Sequence, residues 1–550
     1  MNFVCPSVRS LSKTVMKGPV MVIMTGLLLF GFSGLVSGCG TGDAARLKAS
    51  RDSFLHDDFA KSEKELYSKE VFEHSENRFV HYSSLASIAM AAGEYEKANY
   101  FLQKARDLVN SLRSSHSGFS WFSSDYLSNG IEYSYLHYFL IMTDLMLADE
   151  GKTAAWSTPE IKAKNGDVVV QPQSFPARVY TPREISDFKQ KAHAELLAWD
   201  THLQNLKNSD SDPRYYHNDL WARLLASYLH SLSDQNSEKR IGELLAGDAE
   251  KILASDFQNY PSKSANQEDI ESFIQRLQKH DPKQSLFVLE AGVMSKYKIK
   301  RFHIGLSTLF RNIKDPGLRM MIERIGLQIV LQAAPEFGLV LFSGAVAGAI
   351  SGSSSDEDTE YEGPPRQFSE AIDNSFGFLI QFPSLESPPP DTKVKLDLNG
   401  KSIDLPIVSP LQEIISTDLK NRENKEMFPQ ALTVGLEYLA VLIPAIQTYH
   451  AKNSNFFTKL AAVAGFYIAK KVIDNAHRPD IRSWNYLPKL IAADVLPVPP
   501  GSYHAKVTID NASGKFEKDL GEVQLGDALH SVVRRRVGDV SVLNKSLNKP

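Results

Sequence analysis

The chain has 550 residues, 43% hydrophobic, 23% charged and 10% aromatic, with 32 Gly and 27 Pro. That balance excludes a wholly disordered, collagenous or polytopic membrane chain and leaves length for about two to four domains. A formal charge of −4 gives no general electrostatic case for nucleic acid, and two cysteines cannot build a disulfide framework or a multi-cysteine zinc site.

The N-terminus carries Arg9, Lys13 and Lys17, then an uncharged run with its apolar centre at Met21–Leu35. Val36-Ser37-Gly38-Cys39 follows. A basic segment, an apolar core of about 7–15 residues and small residues before a cut define a secretory signal, predicted here over residues 1–38. The last four residues resemble the lipobox of bacterial lipoproteins. That resemblance implies acylation of the Cys39 thiol, cleavage before it, and a lipidated tether over 39–45. Each buried acyl CH₂ would add about 0.8 kcal/mol of membrane affinity. Gly40 and Thr41 follow, not the Asp that resembles an inner-membrane retention signal, so in a double-membraned bacterium the expected location is the outer membrane, facing the periplasm. Met16-Lys17 reads as a more natural start than Met1, and Cys5 is lost with the signal either way.

Residues 46–285 read as helical. Leu85, Ile88, Ala89, Ala92 and Ala98, Leu102, Ala105, Leu108 recur at three- and four-residue spacing on either side of Gly93. Gly93-Glu94-Tyr95-Glu96-Lys97-Ala98 between them resembles a tetratricopeptide hairpin. One such repeat leaves an apolar face unpaired, so neighbours are required. Tyr126–Ala148, Glu184–Leu206, Tyr215–Leu232 and Glu238–Leu253 are the predicted further helices. Ser114–Ser124 is an interruption rich in Ser and aromatics. Thr153–Pro182, with four prolines, is expected to be a long loop holding one short strand at Val168–Val170.

From residue 286 the pattern mixes strands and helices. Ser285–Leu289 and Tyr297–Ile304 read as strands flanking Glu290-Ala291-Gly292. Ile325–Ile350 is Gly/Ala-rich and apolar but interrupted by Pro335 and Glu336, which favours a buried helix over a span. The acidic stretch 351–365 reads as a solvated linker. Phe376–Phe382 and Lys393–Leu398 read as strands, with Asn399-Gly400 turning the second towards Ile403–Val408. Glu413–Lys420, Ala431–Tyr449 and Phe456–Ile473 are predicted helices, and Pro444 argues against a simple span. Residues 479–550 are expected to form a small C-terminal β unit, with strands at Tyr503–Ile509 and Glu522–Leu525. The predicted fold class is α-rich and multi-domain: a TPR-like helical array at 46–285, a mixed α+β region at 286–478, and that β unit.

No phosphate loop, zinc-protease helix or serine elbow is present in the mature chain, and no cofactor or metal site is expected. His74 and His81 can share a helix face, but no carboxylate converges on them. Arg534-Arg535-Arg536 is a compact basic cluster that reads as surface. Trp121, Tyr126, Tyr133 and Tyr135 read as core of a helical array ahead of a sugar-stacking platform. Asp480-Ile481-Arg482-Ser483-Trp484-Asn485-Tyr486-Leu487-Pro488 is the most distinctive stretch. Asp480 and Arg482 can brace one turn while Trp484 anchors it, which reads as a structural clasp.

With Pro499-Pro500-Gly501-Ser502-Tyr503, these residues resemble the C-terminal signature of an uncharacterised family of TPR-containing bacterial envelope lipoproteins. Gly93-Glu94-Tyr95, Glu290-Ala291-Gly292 and Gly344–Gly348 occur in that family's order. The Thr153–Pro182 insertion and Ser295, where the family tends to have Pro, depart from it. The resemblance implies architecture and location, with no established activity, and a faint link to wall assembly through neighbours of the lipoprotein activators of penicillin-binding proteins. The leading expectation is therefore a non-enzymatic scaffold that binds the membrane through its lipid and an envelope protein through its helical half. The alternative is an enzyme or binder acting on cell-wall glycan or exported polysaccharide, whose paired acids would leave no motif.

Overall fold

The computed structural model describes residues 41–544 except 68–76, 116–129, 163–167, 210–215, 258–264, 280–284, 305–377, 452–454, 526–531 and positions 234, 256, 388, 390, 450 and 497. The signal, Cys39, His74, Trp121, Tyr126, Ile325–Ile350 and the acidic linker lie outside the described residues.

Nine helices are described before the first long strand: α1 Thr41–Leu55, α2 Phe59–Leu66, α3 Arg78–Ala91, α4 Tyr95–Ser115, α5 Gly130–Glu150, α6 Pro182–Ser209, α7 Leu220–Ser231, α8 Asn236–Ala254 and α9 Gln267–Gln278. They pack as consecutive pairs, α1 with α2 through α7 with α8, and each pair touches the next. Local chemistry sets the ends. Asp58 and Asp219 cap α2 and α7 by accepting from the backbone N–H of Lys61 and Ala222. The α3–α4 turn is closed by Glu94 N–H on Ala89 O (2.8 Å) and Gly93 N–H on Met90 O (3.3 Å), a Schellman pattern that needs Gly93 at φ +78°. Helix α5 is buried without a break from Ile131 to Asp149 and forms the centre of the layer.

The stretch between α5 and α6 departs from the expected loop. β1 Lys152–Thr153, β2 Trp156–Thr158 and β3 Ile161–Lys162 pair in nested order with β4 Val168–Val170, β5 Gln173–Phe175 and β6 Arg178–Val179. The result is one long antiparallel ribbon. Its prolines fall between the pairs, where no ladder N–H is required.

Two four-stranded sheets follow. The first has the order β12-β13-β7-β16, from β7 Leu286–Ala291, β12 Ile407–Ser409, β13 Leu490–Val495 and β16 Val532–Val537. β16 runs parallel to β7, and the other two pairings are antiparallel. The second has the order β11-β10-β14-β15, from β10 Lys393–Leu398, β11 Lys401–Leu405, β14 Gly501–Asn511 and β15 Gly514–Leu525. The alternation of side chains divides β7 between two cores. Leu286 and Val288 enter the helical core, while Phe287, Leu289 and Ala291 meet the second sheet. The first sheet is therefore covered on both faces, giving helix, sheet and sheet layers. Because β13, β14, β15 and β16 are interleaved with β7, β10, β11 and β12, the stretch 479–550 is not a separate β unit.

A third core lies apart. β8 Lys298–Ile304 pairs with β9 Phe378–Ser384, and α10 Leu411–Tyr449 and α11 Phe456–Ala476 close over them. Two helices were expected where α10 runs unbroken through Pro429 and Pro444. A mid-helix proline costs about 3 kcal/mol. Packing of Val434, Tyr438 and Leu442 on Phe378, Ile380 and Phe382 holds the helix across both. A short α12 at Ser541–Asn544 ends the described chain.

Candidate functional site

The Asp480–Trp484 segment sits where the helical layer meets the sheets. The Asp480 carboxylate accepts from Arg482 Nη2 at 2.6 Å and from Arg482 Nε at 3.0 Å, as well as from the Arg482 backbone N–H at 2.9 Å. Arg482 Nη1 also donates to Asn77 Oδ1, just before α3, at 3.2 Å. Trp484 is 1% exposed. Its backbone N–H donates to Glu132 on α5 (2.9 Å) and its indole N–H to Ser87 on α3 (2.8 Å), with Phe79 and Phe139 against the ring. Two residues on, the Tyr486 and Ser50 hydroxyls lie 2.6 Å apart. One short segment thus joins α1, α3 and α5.

The arginine run is not a surface cluster. Arg534 and Arg536 point inward from β16, as strand alternation requires, and Arg534 meets Glu290 of β7 through Nε and Nη2, both at 2.6 Å. Tyr138 on α5 donates to the same carboxylate at 2.8 Å, and Arg534 Nη1 donates to Met90 O at 3.2 Å. Arg536 donates to Tyr486 O at 3.0 Å and lies 3.6 Å from Glu290. Burial pulls the Arg536 guanidinium down to about 10, against the pull of Glu290. Burial opposes the Arg534 charge as well, but Glu290 outweighs it and holds that group above its ordinary value.

A second polar network, with no counterpart in the sequence reading, lies among α4, α5 and α6. Glu195 Oε2 accepts from Arg106 (2.8 Å), and its Oε1 lies 2.6 Å from His137 Nδ1. Asp144, two turns along α5 from His137, accepts from Asn99 at 3.1 Å. Burial pushes the Asp144 carboxyl up to about 7, with Glu195 adding to the shift and Lys191 and Arg106 opposing it. Such a carboxyl can exchange a proton near neutrality. Helical spacing places His137 and Asp144 on one face of α5, the only signal that could have found them. Glu195 comes from the next helix, 58 residues away.

The ribbon is fastened beside this network. Trp156 stacks on Phe175 at 3.9 Å, and Tyr100 of α4 packs against both. Trp156 Nε1 and Arg178 Nη2 both donate to Glu96. The outward residues remain exposed, Val179 at 78%. His81 is buried in α3, and Tyr133 and Tyr135 are buried in α5. Among the described residues, no group of three or more His, Cys, Asp or Glu could hold a metal ion.

No family model matches the chain. No curated protein and no solved structure matches it either.

Proposed function

We propose that the mature chain is a lipid-anchored scaffold of the bacterial cell envelope, held at the outer membrane by acylated Cys39 and recognising a protein partner through its helical half. The lipobox-like Val36-Ser37-Gly38-Cys39 supports the anchor. The consecutive helix pairs support a TPR-like array, since stacked pairs present extended surfaces to partners. The observation that carries the reading is the ribbon between α5 and α6. It is held to α4 on one side by Trp156, Phe175 and Arg178 yet keeps Ser157, Ser174 and Val179 exposed, as a rigid binding loop requires. Wall assembly is the process that the family resemblance suggests.

The test compares full mature protein with a variant in which residues 153–180 are replaced by a brief linker, both purified from detergent-solubilised envelopes after crosslinking. Loss of the same crosslinked partners with unchanged melting supports the scaffold reading. Retention of every partner overturns it. Mass spectrometry of the mature N-terminus checks the anchor separately and should find acyl groups on Cys39.

The glycan-acting alternative keeps one specific observation, the Asp144 carboxyl poised near neutrality beside the Glu195–His137 pair. It requires Asp144→Asn and Glu195→Gln each to abolish a glycan-dependent activity that the ribbon variant keeps.

A further inference from the structure

Among the described residues, the α10–α11 hairpin buries one side and leaves the other exposed. Val434, Tyr438, Leu442, Val463 and Phe466 close on β9. The opposite side exposes Leu436, Phe456, Phe457, Leu460, Tyr467 and Val472, with Phe456 and Phe457 at 74% and 76%. On α11, Phe457, Leu460, Ala461, Ala464 and Tyr467 recur turn by turn on one face, and all are exposed. Exposed apolar side chains gathered on one helix face are the kind of surface that marks a contact.

Its charge distribution says with what. From Met427 to Tyr449 the one charged residue is Glu437, which meets His477 at 2.7 Å. From Phe456 to Ala469 the one charged residue is Lys459, seated 5.0 Å over the Tyr449 ring. Lys470, Lys471 and Arg478 then gather at the far end of α11, with Asp474 taking up Lys470. In a chain of formal charge −4, the part of this hairpin from Met427 onward is apolar along its length, with Lys471 and Arg478 exposed at one end. Among the described helices, α10 alone is long and apolar enough to cross a membrane, by length and composition. Its inner side, however, is committed to β9. A helix pair with one face on protein and one bare apolar face fits the plane of a bilayer interface.

We propose that the outer face of the α10–α11 hairpin docks on an anionic lipid surface. Phe456, Phe457 and Leu460 enter the acyl boundary, and Lys471 and Arg478 meet headgroup phosphates. The contact requires no acyl group on Cys39, so it stands or falls independently of the proposed anchor.

The experiment uses the full chain carrying Cys5→Ser and Cys39→Ser. A single cysteine is introduced at Phe457, Leu460 or, as a remote exposed control, Leu244 of α8, and labelled with an environment-sensitive dye. Vesicles of phosphatidylethanolamine and phosphatidylglycerol, with brominated acyl chains, should blue-shift and quench the dye at 457 and 460 several-fold more than at 244. Vesicles of phosphatidylcholine alone should give a weaker effect. Lys471→Glu with Arg478→Glu should lower the quenching at 460 about tenfold on anionic vesicles, with far-ultraviolet circular dichroism reporting that the fold is kept. Equal quenching at 457, 460 and 244 overturns the proposal. So does a dye at 460 already shielded from aqueous iodide without vesicles. Shielding that disappears on dilution assigns the face to a second copy, and shielding that persists assigns it to another part of the chain.

Discussion

Arg534 and Glu290 form a two-pronged ion pair across neighbouring parallel strands, with the arginine side chain 3% exposed and the glutamate 0%. A buried pair adds little over an apolar pair of the same shape, but breaking one is expensive because a charge is left behind. Glu290→Leu strands both Arg534 and Arg536 and should cost about 3–5 kcal/mol. Arg534→Met should cost less, because Arg536 already lies 3.6 Å from Glu290 and can take over. Urea midpoints of the two variants give the order directly; the reverse order would mean that Arg536 cannot substitute.

Trp484 ties the Asp480–Trp484 segment to two helices. Trp484→Ala empties a fully buried aromatic site and should cost about 3–5 kcal/mol. Trp484→Phe keeps most of the packing and removes the N–H that reaches Ser87, so about 1–2 kcal/mol is expected. Thermal melts of the full chain measure both. Unchanged stability with lost partner capture would instead make Trp484 part of a binding surface.

Asp144 gives the folded protein a signed pH dependence. Its carboxyl sits at about 7 when folded against an ordinary 3.8, so between those values the folded state binds more protons than the unfolded state. Stability contributed at this site therefore falls as pH rises through the window and is regained on acidification. Asp494, raised by burial to about 6 despite its pairing with Arg276, slopes the same way. His193, lowered by burial, opposes them. Asp144→Asn should flatten the slope and raise neutral stability by about 1–3 kcal/mol. Denaturation midpoints across the window, parent against variant, isolate the site; parallel curves would refute the assignment.

Two glycines of α8 should respond in opposite directions. A Cβ on Gly242 would lie 2.9 Å from Ser227 O and 3.3 Å from Ser231 N on α7, so Gly242→Ala must separate the helices. About 1–3 kcal/mol of destabilisation is expected. A Cβ on Gly247 meets nothing within 4 Å, and Gly247→Ala should stabilise by about 1 kcal/mol through helix propensity. Calorimetric melting of the two variants decides it.

What was readable in the chain followed solvent contrast. β10 was legible at Lys393–Leu398 because exposed and buried residues alternate, and Asn399 and Gly400 take φ of +52° and +88° in the turn after it. The long helices α6 and α8 were legible because each has a polar face. β7 was read at Ser285–Leu289 from its apolar run, whereas β13, buried at every position, lacks the alternation that marks a half-exposed strand and was not read. Of the ribbon only β4, at Val168–Val170, was legible; the rest was lost among its prolines, since each of its pairings spans only two or three residues. Arg534 and Arg536 were misplaced because charge argued for surface, while their counter-charge lay 244 residues earlier in the chain for Arg534. The Glu195–His137 network was invisible for the same reason: it is made by packing, not by spacing.

The position of β16 has a consequence for the order of events during folding. β7 acquires Glu290 early, but the guanidinium that neutralises it belongs to a parallel strand that is synthesised near the end of the described chain. Until residue 534 arrives, the first sheet holds an uncompensated carboxylate at its interface with the helical layer, and that layer cannot close dry. Long-separation parallel pairing is also slow to form. A nascent chain that has made α1 to α11 therefore still waits, open and vulnerable to proteases, for one late strand to lock it.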